Sequence, residues 1–295
     1  CVNVIWSPVV LRAREVYGER GVSSGNWVTS ERPGGLDDLQ ANLWLGGPIV
    51  EDKLFVFGLV QGADIEQNTF GSSVQTQYKT STPRFLLKAD WNITDKNLLE
   101  LTAFSDKSKD RVRTWNLARP YSDTPTTEKL PDEYTTGGEN YIAKYTSWLT
   151  DEFTVSALAG LGRYNNGQVI GSAACPYITD NRTATTRLLG CATAPSTSLA
   201  DARDERRAYR IDAEWNLGNH GLRFGLDNDE YKVVSGSISS GGAREWIRTA
   251  DPGATLSNGY TNNTGAAFDY VESRHFENGG AFTTQNAAYY IEDNW

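Results

Sequence analysis

The chain of 295 residues carries 37 acidic against 28 basic side chains, a net charge of −9 and a pI near 4.9, so a phosphate backbone meets net repulsion and nucleic acid is a poor partner. Hydrophobic residues make up 39% and mean hydropathy is −0.50, and no run approaches the ~18 apolar residues of a membrane helix, which excludes a helical membrane protein. Tyr (14), Trp (9), Phe (10) and Gly (28) are plentiful while Met is absent and His occurs twice, a profile of strands and turns with little capacity for metal ligation or histidine-based catalysis.

The absence of Met and of a basic segment followed by an apolar stretch reads as a processed protein or a fragment, with Cys1 either a lipidated first residue or a residue at which a cut happens to fall. From there, period-two alternation ending in short polar turns recurs along the chain. Residues 39–50, a turn at Glu51 and Asp52, and residues 53–61 form a first, less regular hairpin. In 84–93, Phe85, Leu87, Ala89, Trp91 and Ile93 share one face; the turn 94–97 reverses the chain, and Leu99, Leu101 and Ala103 carry the apolar face back. Residues 141–149, the turn 150–152 and residues 153–161 repeat the plan, as do Tyr209 to Leu217, the turn 218–221 and Leu222 to Leu226.

Long polar stretches at 62–83, 106–139, 164–205 and 228–284 hold most of the Gly, Ser, Thr, Asn and Pro and read as loops. Cys175 and Cys191, 16 residues apart in the third of them, are expected to form a disulfide in an oxidising compartment. Several loops of this length are unusual in compact soluble domains, whereas outer-membrane barrels alternate tight periplasmic turns with long outer loops. The apolar faces carry no charge, while Arg84, Lys88, Asp90, Glu100, Lys144, Arg210, Asp212, Glu214, Arg223, Asp227 and Glu292 fall on the other. A solvated face of a soluble sandwich alternates in the same way; the asymmetry between turns and loops favours a membrane barrel. Trp91, Trp215 and Tyr289 sit on the apolar face near turns, as interfacial aromatics do, whereas parity turns Trp148, Trp44, Phe55 and Phe57 inward.

The segment 46–58, GGPIVEDKLFVFG, resembles the GGPI, acidic-basic turn and aromatic strand of TonB-dependent outer-membrane receptors, especially the Oar-like group. Residues 2–5 (VNVI) look like the end of the plug of such receptors, and 84–99 and 289–295 look like barrel strands entering or leaving turns. The resemblance implies an all-β, antiparallel up-and-down barrel segment of about 8 to 10 strands within a plugged barrel of about 22. It implies a division into residues 1–38, the end of the plug with a poorly matched first strand, and residues 39–295, the early part of the barrel. It further implies gated import of a scarce substrate (siderophore, peptide or glycan) across the outer membrane, with the lipid bilayer and an inner-membrane energy-coupling protein as partners, the latter acting through a plug. A complete ten-stranded barrel and a secreted, glycan-binding sandwich or adhesin are the rival readings.

Chemistry is sparse. Nucleophile-elbow, phosphate-loop and zinc-protease motifs are absent, no cofactor or catalytic residue is indicated, and His220 and His275 lack a ligand-spaced neighbour. The run Asp227, Asn228, Asp229, Glu230 offers oxygen ligands for calcium without the ordered spacing of a calcium loop and reads as a solvated acidic rim; no metal site is expected. A hydrolase built on Asp229, Glu230 and His275 is a third, weaker alternative. Trp115, Tyr121, Tyr134, Trp246, Tyr260 and Tyr270 are loop aromatics that either meet a ligand at the mouth or pack loops together.

Overall fold

Two of the tight turns are closed by their own side chains. The Thr150 hydroxyl accepts from the backbone N–H of Glu152 (3.2 Å) and Phe153 (3.0 Å), and the Thr94 hydroxyl accepts from the Lys96 N–H (3.3 Å) and the Asn97 amide (2.6 Å). Asp52 (φ 56°) and Gly218 (φ 60°) supply the left-handed backbone that two further reversals need. The structure, a computed structural model, describes residues 2–7, 35–71, 73–118, 124–169, 171, 173–199 and 201–295, with the backbone alone of 16–17 and 30–31.

In chain order the strands are β1 (Val2–Ser7), β2 (Val16–Tyr17), β3 (Ser30–Glu31), β4 (Leu36–Val50), β5 (Leu54–Phe70), β6 (Val74–Ser81), β7 (Arg84–Thr94), β8 (Asn97–Ser105), β9 (Ser108–Leu117) and β10 (Pro125–Glu128). They continue as β11 (Asp132–Trp148), β12 (Phe153–Val169), β13 (Tyr177–Asp180), β14 (Arg187–Leu188), β15 (Ser196–Ser198), β16 (Arg203–Leu217), β17 (His220–Ser239), β18 (Arg244–Ala250), β19 (Phe268–Arg274) and β20 (Glu277–Asn294). The main sheet is an antiparallel meander. β1 pairs with β4 and β4 with β5; β5 pairs with β7 along its first half and with β6 along its second. β7 and β6 pair with β8 and β9 in a shared register that shifts between Asn92 and Thr94, both of the latter pair with β11, and β12, β16, β17 and β20 follow in turn. A second sheet, ordered β14-β13-β18-β19, is built from the two longest excursions.

The stretches expected as loops are largely strand. β5 and β6 cover most of 62–83 and meet at a turn near residue 71; β9, β10 and the start of β11 occupy much of 106–139. β12 runs eight residues past Leu161, and β17 continues from Leu226 to Ser239 before the second sheet begins. These extensions are polar on both faces, so the contrast that marks a half-buried strand disappears from the sequence while the backbone ladder carries on. His220, expected within a turn, opens β17 instead.

There is almost no apolar core. Among the described residues the buried hydrophobic side chains are Val112, Leu117, Ala192, Ala213, Val234, Ala243 and Ala250, whereas Leu87 is 51%, Ile211 47% and Phe224 37% exposed. A sandwich would bury these three between two layers; among the described residues the main sheet is one layer thick, which overturns the sandwich alternative. Closure into a ten-stranded barrel is not found either, because among the described residues β1 pairs only with β4 and β20 only with β17. The segment Val2–Ser7, grouped with the plug by resemblance, runs antiparallel to β4 as the edge strand of the sheet.

Candidate functional site

Residues directly opposite one another in an antiparallel ladder share a face, so the register assigns every position in the main sheet. One row crosses eight strands: Leu54, Trp91, Leu99, Tyr145, Ala157, Ile211, Leu226 and Tyr289. One residue away on the opposite face runs Phe55, Asp90, Glu100, Lys144, Leu158, Arg210, Asp227 and Ala288. Each of the eleven charged positions expected on the polar face that the register reaches lies there. Trp44, Phe55, Phe57 and Trp148 share that face, as parity indicated.

The polar face is knitted by ion pairs. Lys88 lies 3.1 Å from Asp90 and 3.8 Å from Glu100, which also meets Lys144 at 3.5 Å. Further along, Asp212 holds Arg210 (2.8 Å) and Arg223 (3.9 Å), and Arg223 reaches Glu214 at 3.5 Å. Tyr290 lies opposite Gly225 and covers it: a Cβ at Gly225 would come within 2.7 Å of the Tyr290 hydroxyl oxygen. The same ring takes the Arg210 and Arg223 guanidinium groups at 5.9 Å each. These charges are half-exposed and of both signs, so the face is a hydrated, mutually neutralised wall rather than an acid–base centre.

The apolar face has a defined end. Beyond Leu161 and Tyr209 the same parity switches to charge: Lys107 pairs with Glu139, Arg163 with Glu205 (3.3 Å), and Arg207 with Glu205 (2.7 Å) and Glu230 (3.7 Å). A concavity of about 830 Å³ is a shallow groove on the apolar side where Gly58, Ala89, Ala103 and Ala143 leave backbone uncovered between Leu43, Leu87 and Leu161. Its walls suit a hydrocarbon chain and offer little to orient a polar ligand.

The second sheet is held differently. Cys175 and Cys191 are joined as a disulfide with their Cα atoms 5.7 Å apart. Arg182 forks onto Asp180 (2.8 and 2.9 Å) and reaches Asp269 at 2.7 Å, tying the chain after β13 to β19. That guanidinium holds the Asp180 carboxyl down at about 2 and also lowers the pKa of Asp269, which accepts a further bond from Thr249. On the other side of this sheet Trp246 is surrounded by arginines.

The singled-out residues scatter. Arg113 stacks over Trp115 at 4.8 Å, Tyr134 bonds Gln168 at 2.8 Å, and Tyr260 meets Phe268 edge-on at 6.4 Å; Tyr121 lies outside the described residues. Trp246 and Tyr270 do share one face of the second sheet. Asp227 to Glu230 lie within β17, where alternation sends Asp229 to Arg206 (2.9 Å) and Glu230 to Arg207 on the opposite side, so they converge on neither a calcium ion nor a substrate. His220 Nδ1 is 2.9 Å from Asp293, and His275 contacts the Gly242 carbonyl; no cluster of three metal-ligating side chains occurs among the described residues. Sequence reading passed over Arg244, Arg248 and Arg274, although the alternation in 244–248 (REWIR) places two of them beside Trp246.

No protein-family model and no curated protein matches the chain. Among solved structures it is similar to the outer membrane transporter YddB from Escherichia coli, at 11% identity and a TM-score of 0.49, with 92% of this chain and 35% of that one covered. The chain therefore spans about a third of that transporter's length.

Proposed function

We propose that this chain is a wall segment of an outer-membrane β-barrel receptor that imports a scarce substrate, of the TonB-dependent class. One observation carries the reading: two rows a single residue apart, one apolar across eight strands and uncovered, the other charged. Left in water, each large side chain of the first row forgoes about 1.5–3 kcal/mol of burial; acyl chains supply that burial without a second protein layer. From Phe153 to Leu161 the apolar positions of β12 span roughly 27 Å of strand, or ~21 Å at a tilt near 40°, close to the ~25 Å band of outer-membrane barrels.

Unpaired strand edges in lipid cost several kcal/mol per unsatisfied group, so the open sides at β1 and β20 call for further strands, in line with a plugged barrel of about 22. The polar face then lines the passage, and the second sheet stands at the outer mouth. TonB dependence rests on the GGPI hairpin at 46–58, whose turn folds here between β4 and β5; in such a receptor an inner-membrane coupling protein acts through the plug.

The test is depth- and face-resolved quenching. The full chain is reconstituted in vesicles containing brominated lipids, with Trp→Phe variants isolating each indole. Trp91 and Trp215 are quenched, and Trp44 and Trp148 are shielded. Equal quenching of all four, or a chain that stays monomeric without detergent, defeats the membrane reading. Uptake that persists after collapse of the proton-motive force defeats the energy-coupled one.

A further inference from the structure

The second sheet presents one face whose chemistry the transport reading leaves unused. Alternation in β18 puts Arg244, Trp246 and Arg248 on that face; register adds Arg274, Glu272 and Tyr270 from β19, and Tyr177 and Thr179 from β13. The guanidinium carbons of Arg244, Arg248 and Arg274 lie 4.8, 5.7 and 5.8 Å from the Trp246 ring centroid. Only one carboxylate stands among them. Glu272, 8% exposed, pairs with Arg248 at 3.2 Å and with Arg274. Arg244 has an aromatic neighbour in Tyr177 (5.7 Å) and no ion pair among the described residues. Three guanidinium groups against one carboxylate leave this face locally cationic within a chain of net charge −9.

The polar atoms of this face are also incompletely satisfied. Thr179 Oγ1 and Arg244 Nε are buried without a hydrogen-bond partner among the described residues, whereas Arg248 Nε and Glu272 Oε1 meet partners only in the ion pairs just named. An unmet buried polar group costs about 1–3 kcal/mol, and these two sit in a small sheet that a disulfide and the Asp180–Arg182–Asp269 bridge already hold. Trp246 gathers the three guanidinium groups around one ring, and Arg244, which has no ion pair among the described residues, is the one placed to receive a carboxylate or phosphate through paired hydrogen bonds.

We propose that this face is a binding site for a ligand bearing an oxyanion, a carboxylate or a phosphate, with Arg244 as its anchor, Arg248 and Arg274 as flanking donors, and Trp246 as the platform that orients them. Glu272 keeps the two flanking arginines from closing over each other and sets a net charge that admits an anion. The site acts by binding alone and needs no membrane, so its failure and the failure of the transport reading are separable.

The experiment titrates the full chain in detergent with trigalacturonate, inorganic phosphate and neutral maltotriose, following calorimetry and the Trp fluorescence that Trp246→Phe removes. At least one anion binds and maltotriose does not; the anion that binds tells carboxylate from phosphate recognition. Arg244→Gln weakens binding by about tenfold or more and Arg244→Lys by less, since a bidentate fork becomes a point charge. Unchanged trypsin resistance of the second sheet in both variants shows that it has kept its fold; should Arg244→Gln lose that resistance, Arg244→Lys alone decides, with weakened binding supporting the assignment. Failure of both anions to bind the unaltered chain, or binding that neither substitution alters, overturns the proposal.

Discussion

The two sheets solve opposite problems. The main sheet has length and register but, among the described residues, no second layer behind it: its apolar side chains remain exposed and its charges neutralise one another along one face. The second sheet is short and takes its order from cross-links, a disulfide at one margin and an arginine fork at the other. The main sheet is thus completed by its surroundings, whereas the second is completed by its own chain. Changes to solvent or lipid should therefore act on the first, and changes to redox state or pH on the second.

The largest expected effect breaks the first half of that contrast. Ile211→Arg sets a charge in the middle of the apolar row, a cost of about 2–4 kcal/mol in a bilayer, and should abolish insertion into vesicles as read by protease protection. Ala288→Arg, on the polar face beside Asp227, should insert normally. If the two behave alike, the faces are not distinguished by lipid.

Next comes the disulfide. Cys175→Ser with Cys191→Ser opens a loop whose closure is worth about 3 kcal/mol by chain entropy. The second sheet should become cleavable by trypsin at Arg182 or Arg187 while vesicle insertion of the main sheet is untouched. Loss of insertion would mean that the two sheets are not independent.

The smallest effect is a pH response. Because Arg182 depresses the Asp180 carboxyl from 3.8 to about 2, the bridge contributes fully above pH ~4, and its contribution is lost as the carboxyl is protonated on the way down to pH ~2. Amide exchange in β13 and β19 should rise through that window in the unaltered chain and be high throughout in Arg182→Ala. The exposed setting keeps the effect small.

What was legible in the sequence follows from the same contrast. Where a strand has one apolar and one charged face, as in Phe85 to Ile93 or Tyr209 to Leu217, alternation marks strand, face and turn together, and even the awkward inward parity of Trp148 is correct. Where β6 or β9 has polar residues on both sides, as in VQTQYKTS at 74–81, nothing alternates and the strand reads as a loop. The arginine face around Trp246 was missed for a related reason. Its members come from β13, β18 and β19, the last of them, Arg274, 26 residues beyond Arg248, and only the ladder brings Arg274 opposite Arg244.

The overhang of the strands has a further consequence. β17 continues from Leu226 to Ser239 past the apolar band, which on the membrane reading proposed above would raise the second sheet by roughly 30 Å at a barrel-like tilt. Headgroup charge fades over about 8 Å in physiological salt. On that reading a sheet held on such stilts would sit outside the repulsive field of an anionic surface and would meet a negatively charged solute as if in bulk water.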